Sequence, residues 1–234
     1  MTIIRSLALA LFVSLTLPNL VLAAARPLSV SAWVPYWKKT AGVAETTAHL
    51  NQIQTISPFS FEVGPDDQLI DKLKLGEEPW LTLLTSARKK KAEIIPTIHW
   101  ADGDAISLTL ASSTLRKAQI AAIVSLLKDN KFNGIDIDYE NKPAESQANF
   151  SRFLRELAAA LKKDQKILTC SIEPRTPWAD RTTTAQGSEP RTRPAERDGA
   201  GRMYANDYKA IGQYCDRVRI MAYDQGRIDV KLDC

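Results

Sequence analysis

The chain has 234 residues, of which 44% are hydrophobic and 25% charged, and 31 basic against 27 acidic side chains leave a net charge of +4. That basic excess is mild, leaving affinity for an anionic polymer such as a cell wall open, and no aromatic side chains interleave the basic ones as a nucleic-acid surface requires. Three cysteines, Cys170, Cys215 and Cys234, are too few, odd in number and too widely spaced to describe a disulfide framework.

Residues 1–25 read as an export leader. Arg5 is the positive start, Ser6 to Leu22 is almost wholly apolar, and Ala23-Ala24-Ala25 offers small residues for cleavage. Pro18-Asn19 inside the run argues against an uncleaved anchor, and no later segment is long and apolar enough to span a membrane. Removal leaves about 210 residues, a length suited to one domain with a sizeable core. The expected location is secreted, periplasmic or in the cell envelope, and the expected state is a monomer.

Strands are predicted at Val30 to Trp37, at Thr55 to Val63 and at Glu93 to Trp100. The run Arg88-Lys89-Lys90-Lys91 falls where a helix should end before the third strand, a position that favours cations. Leu115, Ile120, Ile123, Val124 and Leu127 lie close to one helical stripe, ahead of a fourth strand from Phe132 to Glu140. Phe150, Phe153, Leu154, Leu157, Ala158 and Leu161 recur at spacings of three and four, which is a cleaner amphipathic helix. A fifth strand is predicted from Lys166 to Pro174, with Cys170 as a buried thiol within it.

Residues 175–205 follow as a long insert rich in Pro, Arg, Thr and Gly. Its arginines read as a solvated surface, with a grip on an acidic glycan as the sharper alternative. Asp207, Tyr208, Ile211 and Tyr214 suggest a short helix before a sixth strand, Arg217 to Asp224.

Strand–helix alternation argues for an α/β fold with a parallel sheet. The turn after the first strand, Pro-Tyr-Trp-Lys-Lys, cannot cradle a phosphate, so a nucleotide-binding doubly wound sheet is disfavoured. The better fit is a (β/α)8 TIM barrel, in which chemistry sits at the C-terminal strand ends. Polar and aromatic residues gather there: Tyr36, Trp37, Phe61, Glu62, His99, Trp100, Asp138, Glu140, Glu173, Tyr223 and Asp224. Only six of eight strands are found, so the expectation is a barrel truncated after its sixth strand, occupying residues 26–234, poorly active and marginally stable.

Residues 132–140 carry the chemistry. They read Phe-Asn-Gly-Ile-Asp-Ile-Asp-Tyr-Glu, so Asp136, Asp138 and Glu140 share one strand face and Ile135, Ile137 and Tyr139 the other. Neighbours on one face lie roughly 7 Å apart, close enough for each carboxyl to perturb the next. A core has no use for three such acids. A site that must hold one carboxyl protonated beside an ionised one does. A half-solvated strand and an oxygen-ligand metal site are the competing readings, but neither of the two histidines lies in a metal-binding motif.

The segment Asn133-Gly134-Ile135-Asp136-Ile137-Asp138-Tyr139-Glu140 resembles the fourth-strand signature of family 18 glycoside hydrolases, Asp-x-x-Asp-x-Asp-x-Glu, with Asn133 in place of the first Asp. Met221-Ala222-Tyr223-Asp224 is similar to the family's sixth-strand Met-x-Tyr-Asp, and Ser-Pro-Phe-Ser-Phe-Glu is a weak hint of its spore-germination and cell-wall branch. The third strand departs from the usual Gly-Gly-Trp ending, since His99 precedes Trp100.

The resemblance implies retaining hydrolysis of β-1,4-linked N-acetylglucosamine glycans in which the substrate's acetamido oxygen is the nucleophile, with no cofactor and no metal. It implies Glu140 as general acid, Asp138 as a movable orienter of the acetamido group, Asp136 as the partner with which Asp138 shares a proton, and Tyr223 as a donor to the acetamido oxygen. Asp224, Met221, Tyr36, Trp37, Phe61 and Trp100 are the implied sugar-contacting set. His99 reads as a hydrogen-bonded interior residue. A non-catalytic carbohydrate-binding protein on the same barrel is the alternative.

Overall fold

A computed structural model describes residues 28–173 and 205–222. The leader, the insert and the Tyr223-Asp224 pair therefore lie outside the described residues. The strands are β1 (Ser31–Pro35), β2 (Thr55–Val63), β3 (Leu69–Asp71), β4 (Glu93–Ile94), β5 (Thr97–Trp100), β6 (Gly134–Tyr139), β7 (Ile167–Ile172) and β8 (Arg217–Ile220). The helices are α1 (Lys39–Ala48), α2 (Trp80–Lys89), α3 (Gly103–Ala111), α4 (Ser113–Asp129), α5 (Gln147–Lys162) and α6 (Tyr208–Tyr214). No helix among the described residues is long and apolar enough to cross a membrane.

The sheet runs β1-β2-β5-β6-β7-β8, every neighbouring pair parallel. All six predicted barrel strands are present in the predicted order. The third is split into β4 and β5 around Ile95-Pro96, and both halves pair with β2. Proline has no N–H for the ladder, so the strand pauses there while the Pro96 carbonyl accepts from Asp136 N at 2.9 Å. The short β3, which has no counterpart among the predicted elements, folds back antiparallel on the end of β2.

Helices cover the outer face. On β6, Ile135, Ile137 and Tyr139 are fully buried against them, and Tyr139 stacks on Phe153 of α5 with ring centroids 5.6 Å apart. The predicted stripe Phe150, Phe153, Leu154, Leu157 and Leu161 is buried along α5. At roughly 1.5–3 kcal/mol per large apolar side chain, that stripe contributes on the order of 10 kcal/mol, an upper figure because unfolded chains bury some of the same surface. Stabilisation of that size on the outer face lets β6 tolerate two fully buried aspartates, Asp136 and Asp138, on the inner one.

The sheet curls into part of a barrel. Arg219 of β8 donates to Ser31 of β1 at 3.0 Å, and Arg217 of β8 reaches Glu93 of β4 at 2.5 Å. Only a closed curvature brings side chains from opposite ends of the strand order together. Gly134 permits the tight start of β6, since a Cβ there would lie 2.2 Å from the Ile167 carbonyl oxygen. Asn133, standing where the resembled signature has Asp, accepts from Ile94 N at 2.8 Å and so pins the base of β6 to β4.

Cys170 is buried as expected, but it is not a free thiol. It is bonded to Cys215, with Cα atoms 6.0 Å apart, which fastens the end of α6 to β7. Spacing along the chain hid this, because the fold rather than the sequence brings the two cysteines together.

Candidate active site

In a parallel sheet, residues in register share a face. Thr97 pairs with Asp136, His99 with Asp138, and Asp136 with Thr169. The inner face at the C-terminal strand ends therefore collects Thr97 and His99 from β5, Asp136 and Asp138 from β6, and Ser171 from β7. Glu140 follows immediately after β6, partly exposed at the mouth.

The three acids have different environments. Asp136 is fully buried and accepts from Thr97 Oγ1 at 2.8 Å, Ser171 Oγ at 3.0 Å and Arg219 Nη1 at 2.9 Å. Burial pushes its pKa up, and the Arg219 charge is the largest influence the other way. Asp138 is also fully buried, yet among the described residues neither of its carboxyl oxygens has a hydrogen-bond partner. Burial first, then the charges of Glu140 and Asp136, push its pKa up to about 7. A carboxyl left without partners beneath an open mouth has a costly orphan polar group, the kind of strain that sites keep for a substrate.

His99 Nε2 lies 3.7 Å from Glu140 Oε1. The adjacent Glu140 carboxyl raises the imidazole pKa against the effect of burial, helped by the charges of Asp138 and Glu62. One donor atom each from His99, Asp138 and Glu140 lies within 4.8 Å of the others. A single imidazole turned to Glu140, beside an aspartate whose pKa is raised to about 7, makes a set suited to moving a proton near neutral pH.

An aromatic wall leads from the mouth to these acids. Tyr36 and Trp37 lie in the turn after β1, 40% and 59% exposed, with ring centroids 4.9 Å apart. Trp37 meets Phe59 at 5.6 Å, and Phe59 meets His99 at 5.2 Å. The ring path thus runs from an exposed indole to the partner of Glu140. Phe59 was absent from the sequence-based set, and Phe61 stood in its place. The reason is a bulge in β2. Register with β5 jumps between Phe59 and Phe61, so the two phenylalanines, same-faced by simple alternation, point to opposite sides. Phe61 is buried in the outer core against Phe132.

Trp100 is likewise no sugar platform. It is one residue out of phase with His99, 5% exposed, and packs edge-on against Tyr139 on the helix side. Met221 follows β8, partly exposed, and its N–H donates to the Ile172 carbonyl at 3.0 Å.

A second cluster steadies the segment that carries Glu140. The Lys142 ammonium is buried, donates to the Tyr139 carbonyl and lies 3.5 Å from Glu173 Oε2. Glu173 also accepts from Asn141 N at 3.2 Å and Asn206 Nδ2 at 2.8 Å. Burial works to raise the Glu173 pKa, but the Lys142 charge and these bonds prevail and hold it below the usual range. Gly103 completes the support, since a Cβ there would meet the Asn141 carbonyl oxygen at 2.1 Å.

Comparison with known proteins agrees with this geometry. The family model described as Glycosyl hydrolases family 18 matches residues 32–229. A curated relative, the uncharacterized glycosylase YvbX of Bacillus subtilis (strain 168), is 25% identical over 193 residues, covering 80% of this chain and 49% of that protein. The chain therefore spans about half the length of the curated relative it matches. Among solved structures, a class V chitinase from Pseudomonas fluorescens Pf-5 superposes with a TM-score of 0.67 at 22% identity, covering 84% of this chain and 54% of that one. The Bacillus cereus spore cortex-lytic enzyme SleL gives 0.63 at 23% identity, covering 85% and 42%. At these identities the two superpositions establish the shared barrel fold.

Proposed function

Since the chain belongs to glycosyl hydrolase family 18, we propose that it is an exported hydrolase of β-1,4-linked N-acetylglucosamine glycans, acting with retention of configuration through the substrate's own acetamido group. The observation that carries this reading is Asp138, a buried carboxyl whose two oxygens have no partner among the described residues and whose pKa is raised to about 7, set between Asp136 and Glu140.

Glu140 protonates the glycosidic oxygen as the bond from that oxygen to the anomeric carbon breaks. The acetamido carbonyl oxygen closes on the same carbon, so the protein need not supply the nucleophile, an exception to the usual two-carboxylate scheme. Asp138 accepts from the acetamido N–H and offsets the charge that develops on the ring so formed. Water then attacks the anomeric carbon from the face the leaving group vacated and gives its proton to Glu140.

Tyr36 and Trp37 form the sugar-stacking surface, joined by Phe59 beneath them. Tyr223 and Asp224, outside the described residues, enter through the likeness of Met221-Ala222-Tyr223-Asp224 to the family motif, Tyr223 as donor to the acetamido oxygen and Asp224 as a sugar contact. Residues 1–25 act as the leader, a route that suits the Cys170–Cys215 disulfide.

The test is hydrolysis of a chromogenic chitobioside by the wild-type chain and by Glu140→Gln, each with and without EDTA. Release of the chromophore that Glu140→Gln abolishes and EDTA leaves intact supports the reading. Loss of activity in EDTA would overturn the metal-free mechanism, and sugar binding without turnover in wild type would make the chain a carbohydrate-binding member of the family.

A further inference from the structure

Helices α2, α4 and α5 each end where a strand of the parallel sheet begins, so their C-terminal ends share the rim opposite the acids. All three end in the same turn. The backbone enters the left-handed region at Lys91 (φ 60°), Lys131 (φ 54°) and Gln165 (φ 53°). The next N–H then bonds back across the last turn at 3.0 Å, Ala92 to the Ala87 carbonyl, Phe132 to the Leu127 carbonyl and Lys166 to the Leu161 carbonyl. Glycine is the residue such a turn favours, because a Cβ is unfavourable at positive φ. The chain places lysine there twice.

The three ends form one surface. Arg88 Nη2 donates to the Asn130 carbonyl at 3.1 Å, Lys128 Nζ lies 3.0 Å from Asp164 Oδ2, and Lys166 Nζ donates to the Phe132 carbonyl at 2.6 Å. Residues 88–91, 128–131 and 162–166 carry nine basic and two acidic side chains, an excess larger than the +4 of the whole chain, so the rest of the molecule is net acidic. Asp164 is already paired with Lys128, while Lys89, Lys90, Lys91, Lys131, Lys162 and Lys163 are exposed and have no ion pair among the described residues. One cation in the last turn complements a helix end, and Lys89, Lys128 and Lys162 provide it. The lysines beyond those turns add like-charge repulsion from which the fold gains nothing.

We propose that this rim is a docking surface for an acidic polysaccharide, a flexible sugar chain with carboxylates spaced along it, which holds the protein by the end opposite its cleft. The proposal goes beyond the hydrolase reading, and the exported location proposed above is where such a chain is met. Eight of the nine cations are lysines, mobile point charges that follow a row of anions without the paired geometry an arginine fork demands. None of the exposed large apolar side chains lies in these three segments, so nothing there enters a bilayer or stacks on a nucleic-acid base. The charges also follow the curve of the barrel rim, which a flexible strand tracks and a stiff duplex does not. With the polymer held at the rim, the acids at the far end stay open to a neighbouring glycan.

The experiment is calorimetric titration of the full chain with polygalacturonate at salt from about 50 to about 200 mM, a range over which about four simultaneous contacts weaken binding about 50-fold. The deciding variant is Lys91→Gly with Lys131→Gly. It loses two charges, so it binds at least about tenfold more weakly at the lower salt and keeps about half of the salt dependence. Its urea midpoint equals or exceeds that of wild type, because glycine relieves both left-handed turns. A second variant, Lys90→Glu with Lys163→Glu, reverses charge where the backbone is ordinary helix and weakens binding further. No binding by wild type, unchanged binding in both variants, or a glycine variant that loses stability along with binding would overturn the proposal. So would tighter binding to phosphatidylglycerol vesicles or single-stranded DNA than to polygalacturonate at equal concentration of negative charge. None of these readings needs turnover, so a chain inactive on the chitobioside would refute the hydrolase reading and leave this result standing.

Discussion

Replacing Asp138 by asparagine should stabilise the protein at alkaline pH. In the folded chain the Asp138 pKa is pushed up to about 7, chiefly by burial, whereas an unfolded aspartate titrates near 4. Between those two values the folded state binds more protons than the unfolded state, so stability falls as pH rises. The contribution is fully present below about pH 4 and is lost by about pH 8. A difference of about three units corresponds to roughly 4 kcal/mol, an upper figure because part of the shift comes from neighbouring charges that also change when the chain unfolds.

Asp138→Asn removes that loss. Its amide exchanges one oxygen that has no partner among the described residues for an NH2 group, a donor that, like the neutral acid, carries no charge to bury. Urea unfolding should therefore give a variant close to wild type at about pH 4 and more stable by about 2–4 kcal/mol at about pH 8. The same variant should lose turnover. Equal stability slopes with pH for the two proteins, or a variant less stable than wild type at the higher pH, would refute the claim that Asp138 is an ionisable group held at functional strain.

Further expectations follow from the segment that carries Glu140. Lys142→Met leaves the partly exposed Glu173 carboxylate without its cation and should cost about 1–3 kcal/mol in urea unfolding, with much of it recovered when Glu173→Gln is added. Gly103→Ala forces the Asn141 carbonyl back from a 2.1 Å contact; a displacement of about 1 Å at Glu140 should lower turnover by about 100-fold, read as kcat at saturating substrate. Reduction of the Cys170–Cys215 bond, which closes a span of 45 residues, should cost about 2–4 kcal/mol, measured as the midpoint of urea unfolding with and without dithiothreitol.

How much the sequence disclosed depended on whether local alternation survived into the fold. On β6 it did. Asp136 and Asp138 point in, while Ile135, Ile137 and Tyr139 point out. The α5 stripe was legible for the same reason, because a helix keeps its period when its neighbours do not disturb it. On β2 a bulge reversed the phase after Phe59, and one inserted residue exchanged a wall residue for a core residue. Trp100 failed more simply. Being aromatic and terminal suggested a platform, but its parity relative to His99 already placed it on the helix side.

Arg219 carried a signal that strand reading could have used. It stands two residues before Met221, in the inward phase of a strand where Arg217 and Arg219 alternate with Val218 and Ile220, and an inward cation needs a partner. Lys142 and Glu173 had no such signal. Their pairing joins the ends of two strands 31 residues apart, and only the register of β6 and β7 brings them together.

The central claim is that Glu140 and Asp138 release a sugar with its configuration retained, using the substrate's acetamido group. Proton NMR of a chito-oligosaccharide digest, recorded in the first minutes, reads the anomer that forms first. The account predicts the β anomer, and no product of either kind from the fully de-N-acetylated oligosaccharide. First appearance of the α anomer, or comparable cleavage of the de-N-acetylated substrate, would contradict it.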